Sequence, residues 1–246
     1  MLGRLPTIRY ALAKYALVAL FALLVAGCGS EDPYRTVDSD AEDGTGREYL
    51  GREIADVMTS EHGALWLDRP ERDEEELPQR LLRALDLNAS DVVADIGSGT
   101  GFFTFRIADL VPSGRVYAVE VQQALVDTIR VRAERRGLRN VTPVLGTASD
   151  PALPENRLDF ALVVSSYHEF AHPREMLEQL VRALKPGGRL VLVEYRAEDT
   201  TTDITDLHRM SEAQIIREGE EAGLRYRETI DVLPQQHIVV FTVPFD

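Results

Sequence analysis

Short apolar runs alternate with helix-spaced segments along the C-terminal two thirds of the chain. The apolar runs are rich in β-branched residues, which is typical of strands buried on both faces of a parallel sheet. They occupy residues 91–96, 114–120, 140–145, 158–164 and 189–195. Segments with apolar residues at helical spacing lie between and after them, at 102–110, 122–136, 173–185 and 211–222. This alternation predicts a sheet with helices on both faces.

The last two predicted strands, 225–232 and 237–243, are joined by residues 233–236 alone. Parallel strands need a crossover of a dozen or more residues, so this pair is predicted to be an antiparallel hairpin. Two further helices are predicted upstream, over 47–59 and 70–87, with Pro78 as a possible true start of the second. The predicted fold class is therefore α/β, a doubly wound Rossmann-like seven-stranded sheet with an antiparallel C-terminal hairpin strand, plus N-terminal helices.

The N-terminus carries the pattern of an export signal. Residues 1–14 are basic, and 15–26 form an uncharged apolar run. The run is shorter than the roughly 20 residues that span a bilayer, but it fits the core of a signal peptide. It ends in Val25-Ala26-Gly27-Cys28, which resembles the lipobox of bacterial lipoproteins. That resemblance implies cleavage before Cys28 and a lipid on Cys28; a plain membrane anchor with an incidental cysteine is the alternative.

Composition divides the rest of the chain. Residues 28–46 are acidic and almost free of large apolar side chains, so they predict a flexible tether. The predicted organisation is a signal peptide at 1–27, the tether at 28–46, an N-terminal helical cap at 47–90 and the sheet domain at 91–246.

Charge and cysteine content exclude several functions. Lys and Arg total 27 against 41 Asp and Glu, a net charge of −14, which disfavours polyanions; nucleic acid is therefore not a predicted partner. Cys28 is the only cysteine, so the chain has no internal disulfide, zinc–cysteine cluster or thiol redox pair. The histidines lack metal-ligand spacing along the sequence, and no metal is predicted.

A glycine-rich bend joins the first strand of the sheet domain to the following helix, within Asp95-Ile96-Gly97-Ser98-Gly99-Thr100-Gly101. Glycine has no Cβ, so a backbone of this kind can approach a nucleotide-like ligand. The G-x-G-x-G spacing differs from the G-x-G-x-x-G of dinucleotide sites. Asp95 would repel a diphosphate but can accept an ammonium group. A tight turn in another α/β domain is the alternative interpretation.

This bend resembles motif I of the class I S-adenosylmethionine-dependent methyltransferases, whose cofactor carries an amino acid tail and no phosphate. Residues 184–190, Leu-Lys-Pro-Gly-Gly-Arg-Leu, resemble the helix-to-strand turn of the same family. The resemblance covers roughly residues 90–245. It implies S-adenosyl-L-methionine as the cofactor, with the binding residues Asp95, Gly97, Ser98, Gly99, Gly101, Glu120 and Asp150.

Two of these residues lie outside the bend. Glu120 ends the second strand, where an acid can accept hydrogen bonds from both ribose hydroxyls of either NAD or S-adenosylmethionine; a solvated acid at a strand end is the alternative. Asp150 follows the third strand, where the family often has an acid or amide that meets the adenine amine. Asp-Pro is equally ordinary turn chemistry.

The candidate catalytic residues are His168, Glu169 and His208. The first two follow the fourth strand, and ligands of open α/β sheets bind beyond the carboxyl ends of strands. Methyl transfer to a hydroxyl or a protonated amine needs a base, so His168 is predicted to take the proton with Glu169 orienting it. A loop hydrogen bond for His168 and a helix cap for Glu169 are the alternatives. His208, after the fifth strand, can reach the same end.

The predicted function is a methyltransferase acting on a small-molecule substrate, similar to a bacterial subgroup with N-terminal lipoprotein-type signal peptides. The predicted location is the cell envelope, with membrane contact through the lipid on Cys28. Two alternatives stay open. One is an NAD-dependent oxidoreductase, against which Asp95 argues; the other is a non-catalytic, membrane-tethered cofactor-binding protein, because S-adenosylmethionine is made in the cytoplasm and an unfolded exported chain cannot carry it across.

Overall fold

The computed structural model describes residues 32–57 and 66–245. The chain divides into two compact units, Met1–Arg35 and Thr36–Asp246. In the first unit, the backbone N–H of Tyr34 donates to Asp32 Oδ1 at 3.0 Å. The predicted signal peptide and Cys28 lie outside the described residues. Within those residues, no helix combines the length and apolar character needed to cross a membrane.

Among the described residues, nearly all of the secondary structure lies in the second unit. The strands are β1 (Tyr34–Thr36), which crosses the unit boundary, β2 (Gly44–Tyr49), β3 (Arg52–Ala55), β4 (Val92–Ile96), β5 (Arg115–Glu120), β6 (Val141–Leu145), β7 (Leu158–Val164), β8 (Leu184–Arg196), β9 (Arg209–Met210), β10 (Arg225–Ile230) and β11 (Gln236–Thr242). The α-helices are α1 (Arg72–Glu75), α2 (Pro78–Leu85), α3 (Phe102–Leu110), α4 (Gln123–Arg136), α5 (Pro173–Ala183) and α6 (Glu212–Glu221). Two single 3-10 turns cover Tyr167–Glu169 and Asp206–His208.

The large sheet has the strand order β10-β11-β8-β7-β4-β5-β6, with β9 beside β8. The pairs β4/β5, β4/β7, β5/β6 and β7/β8 are parallel. The pairs β10/β11 and β11/β8 are antiparallel. The predicted α/β class and the antiparallel C-terminal hairpin are therefore confirmed, and the two-residue β9 is an addition to the seven predicted strands.

Apolar side chains cover both faces of the sheet. On one face, Leu177 and Leu180 of α5 and Ile215 of α6 pack with the inward residues of β7, β8 and β11. On the other face, Leu81 of α2 and Ile107 of α3 pack with residues of β4, β7 and β8. The central strands are buried on both sides, which explains their nearly continuous apolar runs. Only their ends are left for polar chemistry.

The helix predicted over residues 47–59 is wrong. The described part, up to Val57, contains the β2–β3 hairpin, in which Tyr49 pairs with Arg52. The two loop residues, Leu50 and Gly51, have φ values of 48° and 88°. A hairpin with a two-residue turn of the I′ type requires positive φ at both positions, and such a turn cannot lie inside a helix. Because β2 already begins at Gly44, the predicted tether of 28–46 also extends too far.

Two other helix boundaries differ from the prediction. The helix predicted over 173–185 ends at Ala183, because Leu184 is already extended and begins β8. The segment 70–87 contains two helices, and Pro78 begins the second of them. Proline suits the first turn of a helix, because an N–H group at that position would have no acceptor within the helix. The proposed start at Pro78 is confirmed.

The β2–β3 hairpin is fastened to the sheet domain by a buried ion pair. The Arg52 guanidinium donates to both carboxylate oxygens of Glu218 on α6, at 2.8 and 3.0 Å. It also donates to the carbonyl oxygen of His168 at 3.0 Å. Tyr167 Oη donates to Glu218 at 2.6 Å. The hairpin, α6 and the 3-10 turn that carries His168 are thus joined through one carboxylate.

Candidate active site

One cavity opens at the carboxyl ends of β4, β5 and β7. Asp95, Gly97, Ser98 and Gly99 line it from β4 and the bend, and Glu120 lines it from the end of β5. Ser165, Ser166 and Glu169 line it after β7. Its space, counted with the solvent at its mouth, is about 1200 Å³. This is the edge of an open α/β sheet where ligands bind.

The glycine bend is held against β5 by its own backbone. The N–H groups of Gly97 and Ser98 both donate to the carbonyl oxygen of Val119 at 3.0 Å. Gly97 and Gly99 have φ values of 69° and 55°, the left-handed region that favours glycine. A Cβ on Gly99 would lie 2.8 Å from the Leu67 side chain. The bend therefore requires glycine for its conformation as well as for a close approach to a ligand.

Gly101 has a different position from the other two glycines. It precedes α3 as its N-terminal cap residue, with φ of 90°. It does not line the cavity, and a Cβ there would meet the ring of Phe105. Its position suits a structural role at the start of α3 more than the ligand contact expected from the sequence.

Asp95 is buried at the cavity wall, with 3% of its surface exposed. Thr104 Oγ1 donates to its Oδ2 at 2.5 Å. Burial raises the pKa of Asp95 to about 6, against the lowering effect of the Thr104 hydrogen bond. A carboxylate in this position gains from a cationic partner, because the partner offsets the cost of its desolvation.

Glu120 is anchored by three backbone donors. Its Oε2 accepts the N–H of Gly99 at 3.0 Å, and its Oε1 accepts those of Val121 and Gln122 at 2.8 and 3.1 Å. Burial raises its pKa and outweighs the effect of these hydrogen bonds. An ionised carboxylate has about four acceptor positions, so about one is left for a ligand hydroxyl. The sequence suggested contact with both ribose hydroxyls, and the anchoring leaves room for one.

Asp150 does not line the cavity. Its Oδ1 accepts the N–H of Ala152 at 2.7 Å, and its side chain is exposed. The expected contact with an adenine amine is therefore replaced by the turn chemistry that was its alternative. Thr147 and Ala148, in the same loop, line the cavity instead.

Residues ahead of the sheet domain form another wall. Trp66 lines the cavity, and the Arg69 guanidinium lies 3.9 Å above its ring. Arg72 also lines the cavity; it lies 4.1 Å above the Phe102 ring and pairs with Glu76 at 3.0 Å. The Trp66 side chain therefore forms part of the cavity wall.

His168 is positioned by Glu194, not by Glu169. His168 is 2% exposed, and its Nδ1 lies 2.6 Å from Glu194 Oε2. Glu194 Oε1 accepts the backbone N–H groups of Ser166 and Tyr167 at 3.2 and 2.8 Å. An ionised carboxylate only accepts, so Nδ1 carries the hydrogen and Nε2 is the nitrogen left to accept a proton. The orienting role that the sequence gave to Glu169 belongs to Glu194.

Glu169 lies between the two histidines. Its Oε1 is 3.8 Å from His168 Nε2 and 3.6 Å from His208 Nε2. The centroids of the two imidazole rings are 4.7 Å apart. Glu169 acts through hydrogen bonding to raise the pKa of His208. The fold therefore brings together all three predicted catalytic residues; of the three, Glu169 lines the cavity, and His168 and His208 do not.

Two residues of this cluster were missed from the sequence. Asp43 Oδ2 lies 3.1 Å from His208 Nδ1 and accepts from Thr205 Oγ1 at 2.6 Å. Asp43 falls in the predicted tether, and no sequence signal linked it to the site. Glu194 lies two residues before the end of β8, the strand next to the one that precedes His168, and Val164 pairs with Val193 in that register. An acid at the carboxyl end of a neighbouring parallel strand was a usable signal.

Comparison with known proteins gives a consistent result. Residues 93–188 match the family described as a methyltransferase domain. A protein-L-isoaspartate O-methyltransferase of Aeropyrum pernix is 35% identical over 155 residues, which cover 63% of this chain and 54% of that protein. A ubiquinone/menaquinone biosynthesis C-methyltransferase UbiE of Ectopseudomonas mendocina is 31% identical over 42% of this chain and 41% of that protein. The chain thus spans about half the length of the curated relatives it matches.

Solved structures agree with the sequence comparison. The crystal structure of a SAM-dependent methyltransferase from Aquifex aeolicus has a TM-score of 0.71 and 26% identity, over 76% of this chain and 100% of that one. The relatives and this neighbour support S-adenosyl-L-methionine as the cofactor, and the bend, Asp95 and Glu120 provide groups suited to its two polar ends. Residues 93–188 thus match a methyltransferase domain, and the fold is similar to that of a SAM-dependent methyltransferase.

Proposed function

We propose that this protein transfers a methyl group from S-adenosylmethionine to a small-molecule acceptor that enters beside Glu169. The observation that carries the proposal is the arrangement of one cavity. Asp95 and Glu120 flank the glycine bend on one side, and Glu169, next to His168, lines the other. The first pair suits a charged amino acid tail and a ribose, while the second suits a proton-bearing acceptor.

The roles of the cofactor residues follow from their surroundings. The Asp95 carboxylate receives the ammonium group of the methionine end. Glu120 accepts one ribose hydroxyl with its remaining acceptor position, and Gly97, Ser98 and Gly99 provide the close backbone between them. Thr147 and Ala148 take the adenine side in place of Asp150. Each residue given a role here lines the cavity with its side chain or its backbone.

The transfer is a displacement at the methyl carbon of a sulfonium. The acceptor atom forms a bond to this carbon, the sulfur–methyl bond breaks, and its electron pair stays on the sulfur of S-adenosylhomocysteine. The proton of the acceptor passes to His168 Nε2, which Glu194 keeps available by holding the hydrogen on Nδ1. General-base help of this kind contributes roughly 10²- to 10⁴-fold to a rate.

The acceptor class is proposed from charge and enclosure. The net charge of −14 disfavours nucleic acid, and the cavity suits a small molecule. The names of the relatives do not select an acceptor, because one refers to isoaspartate in proteins and another to ubiquinone and menaquinone biosynthesis. An oxygen or nitrogen acceptor with a removable proton fits a site that offers a base.

The test is a calorimetric titration of the full-length chain with S-adenosylmethionine, S-adenosylhomocysteine, adenosine and NAD. We expect micromolar binding of the first two and no tight binding of NAD. Glu120→Ala is expected to weaken all three adenosine compounds about 10- to 100-fold, because each uses the ribose and the charged acceptor contributes about 1.5–3 kcal/mol. Glu134→Ala, on α4, is the matched control. Tighter binding of NAD would favour the oxidoreductase alternative, and binding without turnover of any acceptor would favour the non-catalytic one.

We also propose that the chain is a lipoprotein of the bacterial cell envelope, anchored through Cys28. The support is the basic start, the apolar run and the single cysteine at its end. Expression in a bacterial host should give a mature N-terminal Cys28 with a lipid mass by mass spectrometry. The Cys28→Ser variant should be absent from the membrane fraction, or its N-terminal segment should stay uncleaved. An unmodified Cys28 within an intact N-terminus would contradict the anchor.

A further inference from the structure

His168, Glu169 and His208 form a set of metal ligands as well as a catalytic cluster. One donor atom from each lies within 4.8 Å of the others. Glu169 Oε1 is 3.8 Å from His168 Nε2 and 3.6 Å from His208 Nε2. Two ligands of tetrahedral zinc, with bonds of 2.0–2.1 Å, lie about 3.3 Å apart. Shifts of a few tenths of an ångström bring the carboxylate to that separation from each nitrogen.

Both histidines are held from behind by a carboxylate. His168 Nδ1 lies 2.6 Å from Glu194 Oε2. His208 Nδ1 lies 3.1 Å from Asp43 Oδ2 and 2.8 Å from Thr205 Oγ1. Each carboxylate can accept the hydrogen of Nδ1, so each Nε2, which faces Glu169, is the nitrogen that can bind a metal ion once it has no hydrogen. Metal-binding histidines are characteristically held in this way by an outer carboxylate or carbonyl.

The cluster also has an excess of negative charge. Asp43, Glu169 and Glu194 surround two imidazoles. Across residues 36–57 and 66–245, none of these three carboxylates forms an ion pair with lysine or arginine; their ion-pair partners are the two histidines. A divalent cation between the imidazoles would offset this excess.

We propose that His168 Nε2, the Glu169 carboxylate and His208 Nε2 bind one divalent transition-metal ion of the zinc type. Two imidazoles and one carboxylate with an open position are a ligand set of catalytic zinc sites, and imidazole suits zinc better than magnesium or calcium. The absence of a metal was predicted from spacing along the sequence. That prediction did not take into account that the ends of β7 and β8 bring the two histidines together.

The role of this ion rests on the proposed function, although its binding does not. Glu169 lines the cavity, so an acceptor hydroxyl can take the open position at the cavity wall. The ion lowers the pKa of that hydroxyl, and the proton leaves to solvent. The oxygen then bonds to the methyl carbon, and the sulfur keeps the electron pair of the broken bond. With the ion bound, His168 Nε2 is a ligand, and solvent receives the proton that His168 takes in the metal-free protein.

The test is a titration of the full-length chain with ZnCl₂ and with CoCl₂, in the absence of S-adenosylmethionine. All proteins carry Cys28→Ser, so that no thiol contributes. We expect one ion per chain, and for Co²⁺ the visible absorption bands of a four- or five-coordinate site. Glu169→Gln and His208→Ala should each weaken Zn²⁺ binding at least about 100-fold. Asp43→Asn should weaken it about 10- to 100-fold, as changes to outer partners of metal ligands do.

Two controls make the result decisive. His172→Ala removes a histidine outside the cluster and should leave Zn²⁺ binding unchanged, and a thermal melt checks that each variant is folded. The metal site is overturned if folded Glu169→Gln binds zinc with the same affinity as the parent protein. It is also overturned if the parent protein binds zinc no more tightly than the double variant His168→Ala/His208→Ala does. If S-adenosylmethionine binds and zinc does not, only this inference fails; the reverse result removes only the proposed methyl transfer.

Discussion

Asp95→Asn is expected to stabilise the unliganded protein. Burial raises the pKa of Asp95 from 3.8 to about 6, so above pH 6 the fold holds a carboxylate that prefers to be protonated. A difference of about two pKa units costs about 3 kcal/mol, which asparagine avoids while keeping the shape and the Thr104 hydrogen bond. Because the folded pKa lies above the unfolded one, this cost is full above pH 6 and absent well below pH 3.8. Urea unfolding should show the gain at pH 7.5 and about half of it at pH 5.

The same substitution should weaken the binding of S-adenosylmethionine about 10- to 100-fold, because it removes a charged acceptor for the ammonium group. Adenosine lacks the amino acid tail and should bind the variant and the parent protein equally, which makes it the control ligand. The affinity of the parent protein should also fall as the pH drops below about 6, since protonation of Asp95 has the same effect. Equal affinity of the variant for S-adenosylmethionine at pH 7.5 would remove Asp95 from the cofactor site.

Glu194→Gln is expected to reduce methyl transfer at least about 100-fold while leaving cofactor binding within about twofold. The amide oxygen can still accept the N–H groups of Ser166 and Tyr167, which Glu194 accepts at 3.2 and 2.8 Å. Its NH₂ group then faces His168 Nδ1 and donates to it. The imidazole must move its hydrogen to Nε2, which can no longer take a proton from an acceptor. Loss of the correct histidine tautomer has effects of this size in other enzymes.

Two measurements check this expectation. Long-range ¹⁵N–¹H NMR of the histidine side chains reports the tautomer of His168 directly, and release of S-adenosylhomocysteine over a panel of phenols, carboxylic acids and amines reports transfer. Glu198→Gln, an exposed acid just after the same strand, is the matched control. An unchanged tautomer, or turnover equal to that of the parent protein, would show that Glu194 does not position the base.

The sheet domain could be predicted because its strands are buried on both faces. Short apolar runs rich in β-branched residues, such as 158–164, are typical of central strands, and the short link before β11 makes the hairpin antiparallel. The bend at Gly97 and Gly99 was equally legible, because positive φ values leave a glycine pattern in the sequence. These features depend on residues that are close together along the chain.

The errors arose where distant segments meet. Tyr49 and Ile54 fit a helical spacing, but the turn at Leu50 and Gly51 with φ values of 48° and 88° makes them part of a hairpin. Leucine rarely adopts such a φ, so no feature of the amino-acid sequence indicated that turn. Asp43 reaches His208 only because this hairpin directs the chain back to the site. Residue spacing therefore located the cofactor side well and the outer partners of the histidines poorly.

The bidentate contact between Arg52 and Glu218 sets a limit on where this protein can be shortened. The region that matches the methyltransferase family, 93–188, contains neither residue. A version trimmed to the large sheet would retain every one of its strands. Glu218 would then be a buried carboxylate without its cationic partner, a situation that costs several kcal/mol in other proteins. The smallest autonomous unit of this chain must therefore begin upstream of the hairpin, well before the first strand of the family's own fold.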